Sequence, residues 1–237
     1  FYAIDPAELE ESLSDALEQV AAAAGSASSV ATNSTRLGTD TVIYQALFNS
    51  ADWSGEVRAL NLKEDGTVGS TKWTTDNSKF DSPINRDIVT YNGGGVDFAW
   101  ENLSAAQQQA LGATEAEGKD VINWARGQDV TGLRDRSTLL GDIVNSSPVF
   151  AGRKKYNFHL LSDELGGLAY EAYYNSQKAN RREVLYVGAN DGMLHAFDAA
   201  SGMEQFAYIP SGVYPQLKNL SAPDYGSNAN PHAYSMD

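Results

Sequence analysis

The chain has 237 residues, 42% of them apolar, and a formal charge of −14 from 17 basic against 31 acidic residues. That is enough apolar chain for one or two cores; the acidity argues against a nucleic-acid footprint, which needs a basic face, and against electrostatic attachment to anionic lipid. Cysteine is absent, which removes disulfides, thiolate zinc sites and thiol nucleophiles, and no apolar run approaches the ~20 residues of a membrane helix.

The chain opens at Phe1 without Met and reads as a processed product or an excised fragment. Asp5 suits an N-cap, Pro6 the first helical position, and Glu8 adds a favourable first-turn charge. Leu9, Leu13, Ala16, Leu17, Val20 and Ala24 recur at helical spacing, and Gly25 ends the pattern. Residues 1–25 are thus a terminal strand and helix. Their Phe-x-Ala-x-Asp-Pro lead resembles the close of von Willebrand factor A-type domains.

Residues 26–75 read as four strands, Ser28–Thr35, Thr41–Phe48, Glu56–Leu62 and Thr71–Thr75, with turns at Asp52–Gly55 and Lys63–Thr67. Residues 76–140 break this rhythm. Arg86–Tyr91 and Val96–Trp100 form a hairpin around Gly93–Gly95, which lacks the Lys and following helix of a phosphate cradle. Ser104 with Gln107, and Thr114 with Glu117, are capping boxes for two helices stopped by Gly112 and Gly127. The segment is expected to decorate the sheets from outside.

Residues 141–209 restart the strands at Gly141–Gly152, continue through a polar, Tyr-rich insertion at 153–182, and end in three strands. Val184–Val187 and Met193–Phe197 flank Asp191-Gly192, where a type I′ turn is expected. Asp198 and Gly202 close the next turn, Asp198 by bonding its own backbone and Gly202 by a left-handed conformation, before Met203–Ile209. The meanders IYQALFNSADWSGEVRALNL and LYVGANDGMLHAFDA share one plan and read as a repeat. Residues 210–237, with Pro215, Pro223 and Pro231, read as an ordered excursion toward a next blade, neither helix nor strand.

The fold class expected is mainly β: two four-stranded antiparallel blades of an incomplete quinoprotein-like β-propeller with helical insertions. Ala196-x-Asp198-x-x-Ser201-Gly202-x-x-x-Phe206 resembles the quinoprotein propeller signature, with Ser for Thr and Phe for Trp. In that signature a small residue lets blades approach, and the aromatic docks on the neighbouring blade. Asp191, Gly192, Ala196, Asp198, Gly202 and Phe206 are therefore the structural turn and docking residues.

LGDIVNSSPVFAG (Leu140–Gly152) and YVGANDGMLHAFDAASGMEQFAYIPSGVYPQL (Tyr186–Leu217) resemble the PilY1 family of type IV pilus tip-associated adhesin and biogenesis proteins. SASSVATNST and DWSGEVRAL extend the likeness toward the start of the chain. The resemblance implies a non-enzymatic propeller scaffold supporting pilus extension, twitching motility and surface attachment. Implied partners are minor pilins at the tip, a host or abiotic surface, and blades from residues beyond Asp237. The implied location is extracellular, at the cell surface and pilus tip, with outer-membrane association as a variant. It also implies a calcium loop elsewhere in the propeller region. Asn61-x-Lys63-x-Asp65-Gly66 does not supply one, because Lys63 and Lys72 stand where oxygen ligands are needed.

No catalytic, cofactor or metal residue is assigned. His159, His195 and His232 make no metal spacing, and Asp191 and Asp198 are explained by their turns. Asp40, Asp142 and Asp191 at a blade edge are the weak cation alternative, and a sugar platform on one of the four tryptophans is another. The competing readings are a pyrroloquinoline-quinone dehydrogenase, although the vicinal cysteines of many such enzymes are missing, and a generic interaction propeller.

Overall fold

The computed structural model describes residues 27–33, 41–63 and 65–236. The terminal strand and helix expected over 1–25, and Asp40, lie outside the described residues. The first sheet runs β1 (Ala27–Thr32), β2 (Val42–Asn49), β3 (Ser54–Leu62) and β4 (Val68–Thr74), antiparallel and in sequence order. Alternation along β2 and β3 sends Val42, Tyr44, Ala46, Val57 and Ala59 to one buried face, and Ile43, Leu60 and Leu62 to a second cluster.

The second sheet contains β5 (Ile88–Tyr91), β6 (Gly95–Asp97), β7 (Val149–Ala151), β8 (Val184–Ala189), β9 (Met193–Asp198) and β10 (Glu204–Tyr208), in the order β6-β5-β10-β9-β8-β7. It therefore has six strands where four antiparallel ones were expected. The 88–97 hairpin does not lie outside: β5 pairs with β10 in parallel, Ala207 opposite Ile88. Ala207 N–H donates to the Asp87 carbonyl and Ile209 N–H to the Val89 carbonyl, both at 2.9 Å. Local patterning carries no information about a partner so distant in sequence.

Among the described residues the α-helices are α1 (Ala105–Leu111), α2 (Glu115–Arg126), α3 (Gly167–Ser176) and α4 (Tyr214–Leu220). Ser104 and Thr114 each accept from the N3 backbone N–H, and Gln107 and Glu117 reach back to the cap N–H, so both boxes are complete. Helix α4 corrects the reading of 210–237 as neither helix nor strand. Pro215 falls in its first turn, where the missing N–H would be unpaired in any case. Helices α1, α2 and α4 enclose one core with Ile88, Phe98, Met193, Ala207 and Ile209.

The other large core lies between the sheets, Tyr44, Val57 and Trp73 against Leu185, Val187, Phe197 and Ala199. Trp73 Nε1–H donates to the Ala199 carbonyl at 3.1 Å, and Tyr44 Oη–H to the same oxygen at 3.3 Å. The strand expected over Gly141–Gly152 is confined to Val149–Ala151. Residues 140–142 instead form the seam between the sheets, with Gly55 N–H on the Leu140 carbonyl and an isolated bridge from Ser54 to Gly141. These two sheets do not form a closed ring among the described residues.

Candidate functional site

The Asp191-Gly192 turn is the point from which the site is built. It is a three-residue loop, Asn190–Gly192, between paired Ala189 and Met193. Gly192 has φ +89°, while Trp53 is the sole described non-glycine residue with positive φ. The expected type I′ turn, with two left-handed residues, is therefore corrected. Gly192 N–H donates to the Ala189 carbonyl at 3.1 Å, which is a type I turn closed by a left-handed glycine.

This geometry aims Asp191 inward. Its Oδ1 accepts from Met193 N–H at 3.0 Å, and its Oδ2 accepts from Gly141 N–H at 2.9 Å and lies 3.0 Å from His195 Nε2. Two residues along β9 bring His195 to the same buried side. Its Nδ1 is 2.8 Å from Glu204 Oε1 on β10. Arg86, just before β5, closes the row: Nε and Nη2 donate to the two Glu204 oxygens at 2.7 and 2.8 Å. Its Nη1 donates to the Ala125 and Arg126 carbonyls, where α2 ends. The Phe80 ring lies 5.1 Å from the Arg86 guanidinium carbon, and Phe197 stacks on His195.

All four groups are buried. Burial alone would push His195 down; the Asp191 and Glu204 carboxylates outweigh it and hold the imidazolium up to about 9. Burial would likewise raise both carboxyls. His195 and Arg86 instead pull Glu204 down to about 2, and His195, the Gly141 N–H and Arg86 hold Asp191 below its usual range. Two carboxylates, one imidazolium and one guanidinium leave the row neutral.

A pH dependence of stability follows. His195 has a raised folded pKa, so its contribution is complete below its unfolded value near 6.5 and is lost as pH rises through about 9. Glu204 has a depressed folded pKa, so its contribution is complete above 4.5 and is lost as pH falls through about 2. The thermal midpoint should be highest between about pH 4.5 and 6.5 and fall on both sides. A midpoint flat from pH 6.5 to 9 would contradict a charged, paired His195.

A second cluster holds the C-terminal excursion. Asn190 Nδ2–H donates to Asp142 Oδ2 at 2.7 Å, and Ser235 N–H to Asn190 Oδ1 at 2.9 Å. His232 Nε2 lies 3.1 Å from Asp142 Oδ2, and its ring stacks on Trp53 at 3.8 Å. Trp53 thus holds its left-handed backbone, φ +55°, where residues of the excursion cover the first sheet.

The remaining turn residues are placed as follows. Asp198 Oδ1 accepts from Ala200 N–H, Ser201 N–H and the Ser201 hydroxyl at 2.9–3.1 Å. Gly202 has φ +75° and lies against the Trp73 ring. Ala196 is buried opposite Tyr186 and Phe206. Phe206 stands edge-on to Tyr186 of its own sheet at 6.3 Å; the aromatics that cross between the sheets are Trp73 and Tyr44, both bonded to the Ala199 carbonyl. Asp142 and Asp191 are neighbours through Asn190 and Gly141, each beside a histidine. Among the described residues no group of three or more His, Asp or Glu is arranged to hold a metal ion. Sequence reasoning missed Glu204 and Arg86. The signal present was an ionisable residue, His195, inside an apolar strand; nothing local pointed to Arg86, 118 residues from Glu204.

A model of the PilY1 beta-propeller domain matches residues 140–234, from the seam into the excursion. The chain is 36% identical, over its whole length, to a type IV pilus biogenesis factor PilY1 homolog of Xylella fastidiosa, of which it covers 19%. It is 34% identical over 82% of its length to the type IV pilus biogenesis factor PilY1 of Pseudomonas aeruginosa, covering 18% of that protein. A second Xylella fastidiosa homolog is 27% identical over 97% of the chain. The chain thus spans about a fifth of the length of the curated relatives it matches. No solved structure matches it. With the propeller-domain match lying over strands β7 to β10 and three of the four residues of the ionic row, and the likeness to PilY1 proteins running through both sheets, the chain belongs to the PilY1 family.

Proposed function

We propose that this chain is a non-catalytic segment of a propeller scaffold that acts in type IV pilus biogenesis and tip adhesion at the cell surface. The observation that carries the reading is the likeness to PilY1 biogenesis factors across the whole chain. The chemistry of the buried row supports the scaffold half of it. Asp191, His195, Glu204 and Arg86 are the groups suited to acid–base work, and each is sealed from solvent and already paired. A general acid or base must come within hydrogen-bond reach of a substrate proton; these groups instead lock a turn, two strands and a helix end together. Minor pilins on one side, and a host or abiotic surface on the other, are the partners such a scaffold would serve.

The test is an in-frame deletion of the coding sequence for residues 27–236 in the native host. Surface pili should fall to a small fraction of the parent, with twitching and attachment lost, and expression of the intact gene should restore all three. Normal pilus number with normal attachment would overturn the reading. Turnover of alcohols or sugars by the purified chain reconstituted with pyrroloquinoline quinone and calcium would replace the scaffold by an enzyme.

A further inference from the structure

Beyond the end of α2, Arg134 and Arg136 return to the helix and lean on one of its side chains. The buried Trp124 ring lies 3.9 Å from the guanidinium carbon of Arg136 and 5.7 Å from that of Arg134. Trp124 Nε1–H donates to the Arg134 carbonyl at 2.7 Å, and Arg134 N–H donates to the Ser221 carbonyl at 2.8 Å. The pair is thereby fixed to α2 and to the end of α4. Arg136 Nη2 donates to the Trp124 carbonyl, and the Arg134 guanidinium lies 4.7 Å from the Tyr225 ring.

These two cations differ from their neighbours in lacking an acid. Arg86 and Arg126 meet Glu204 and Asp97 at 2.7 and 3.4 Å, whereas no carboxylate pairs with Arg134 or Arg136 among the described residues. Arg136 Nη1 is buried and has no hydrogen-bond partner there. Burial pulls both guanidiniums below the usual arginine range, Arg136 to about 10, against the attraction of Asp191 and with repulsion from Arg134 and Arg86. Asp191 is already matched by His195, Asp142 accepts from Asn190, and Asp52 and Asp129 act only from exposed positions. A guanidinium stays charged at any ordinary pH, so an uncompensated cation is left in a dry interior. An enclosed water would satisfy the Nη1 donor and leave the charge; an anion satisfies both. We propose that Arg134 and Arg136 hold a small monovalent anion, of halide size, beside Trp124, with Arg136 Nη1 donating to it. The carboxylate of a docking protein is excluded, because that nitrogen has no exposed surface. The ion joins α2, the segment after it and the excursion at Tyr225, whether or not the chain serves a pilus.

The probe is chloride itself, exchanged for gluconate on the full chain at a constant ionic strength of about 0.15 M. Chloride should raise the thermal midpoint by about 5 °C in a saturable way, since an ion bound by the folded state alone stabilises it by mass action. The chloride NMR line should broaden in the presence of the protein, and bromide should displace that broadening. Arg136→Met removes the unpaired cation at similar volume. It should melt at or above the parent in gluconate and show neither the chloride-dependent rise nor the broadening. Equal midpoints in chloride and gluconate for the parent would overturn the proposal and leave an enclosed water as the Nη1 partner. An undiminished chloride response in Arg136→Met would overturn it too, as a general salt effect. If that variant does not fold, the parent decides alone: broadening that bromide leaves unchanged overturns the site.

Discussion

Replacing His195 by alanine should lower the thermal midpoint by about 10 °C. The imidazolium lies between the Asp191 and Glu204 carboxylates, with both ring nitrogens engaged. Its removal leaves Asp191 with backbone donors and Glu204 with Arg86 alone, all in a dry interior. Breaking a buried pair by removing one partner costs about 3–5 kcal/mol, because the surviving charge stays desolvated. A chain of this length loses roughly 2–4 °C per kcal/mol. His195→Ala should also flatten the fall in stability between pH 6.5 and 9, since the group whose pKa is held up to about 9 is gone. Replacing the whole row, with Arg86→Met, Asp191→Asn, His195→Leu and Glu204→Leu in one chain, should be less damaging than His195→Ala, because no unpaired charge survives. Thermal melts by circular dichroism across pH test this, and a loss under about 3 °C for His195→Ala would remove the row from the forces that hold the sheet.

The second large effect lies in the seam. A Cβ on Gly55 would sit 1.9 Å from the Gly141 carbonyl oxygen, and one on Gly141 would sit 2.4 Å from the Asp191 nitrogen. In both cases the obstacle is backbone, so no side-chain rotation relieves it. Gly55→Ala or Gly141→Ala must therefore push the sheets apart, opening the core that holds Tyr44, Trp73, Leu185 and Phe197. Overpacking costs about 1–3 kcal/mol where neighbours can yield and more where they cannot. Each variant should melt about 10 °C or more below the parent, with tryptophan emission shifted to the red as Trp73 loses its cover. Gly94→Ala is the control, since a Cβ there meets nothing within 4 Å and its φ is not positive. Midpoints near the parent for both seam variants would show that the sheets are not held at this contact.

What the sequence made legible was short in range. Both capping boxes could be read because Ser104 and Gln107, or Thr114 and Glu117, need only one turn of chain to find each other. The β8–β9–β10 meander was visible for the same reason, as alternation between turn residues. The turn type at Asp191-Gly192 was not, because Asn190 takes part in the loop and its side chain is held by Asp142, outside any local window. The strand content of the second sheet was understated because β5 finds β10 by parallel pairing, which no hairpin signal announces. The row from Asp191 to Arg86 combines both cases. Asp191 and His195 are four apart and readable, whereas Arg86 becomes a partner only through that parallel pairing.

The parallel seam between β5 and β10 has a consequence for how the chain is made. The first sheet and the β8–β9–β10 meander pair with neighbours in sequence, but Arg86 must wait 118 residues for Glu204. At ribosomal rates of about 5–20 residues per second, that is roughly 10 s during which β5 and β6 have no sheet to join. Over that interval Ile88 and Phe98 lack the Ala207 and Ile209 side of their core. Pairings this distant are slow to form and leave apolar surface open to other chains meanwhile. The first insertion should therefore stay open to proteolysis during synthesis and gain protection only when β10 has emerged.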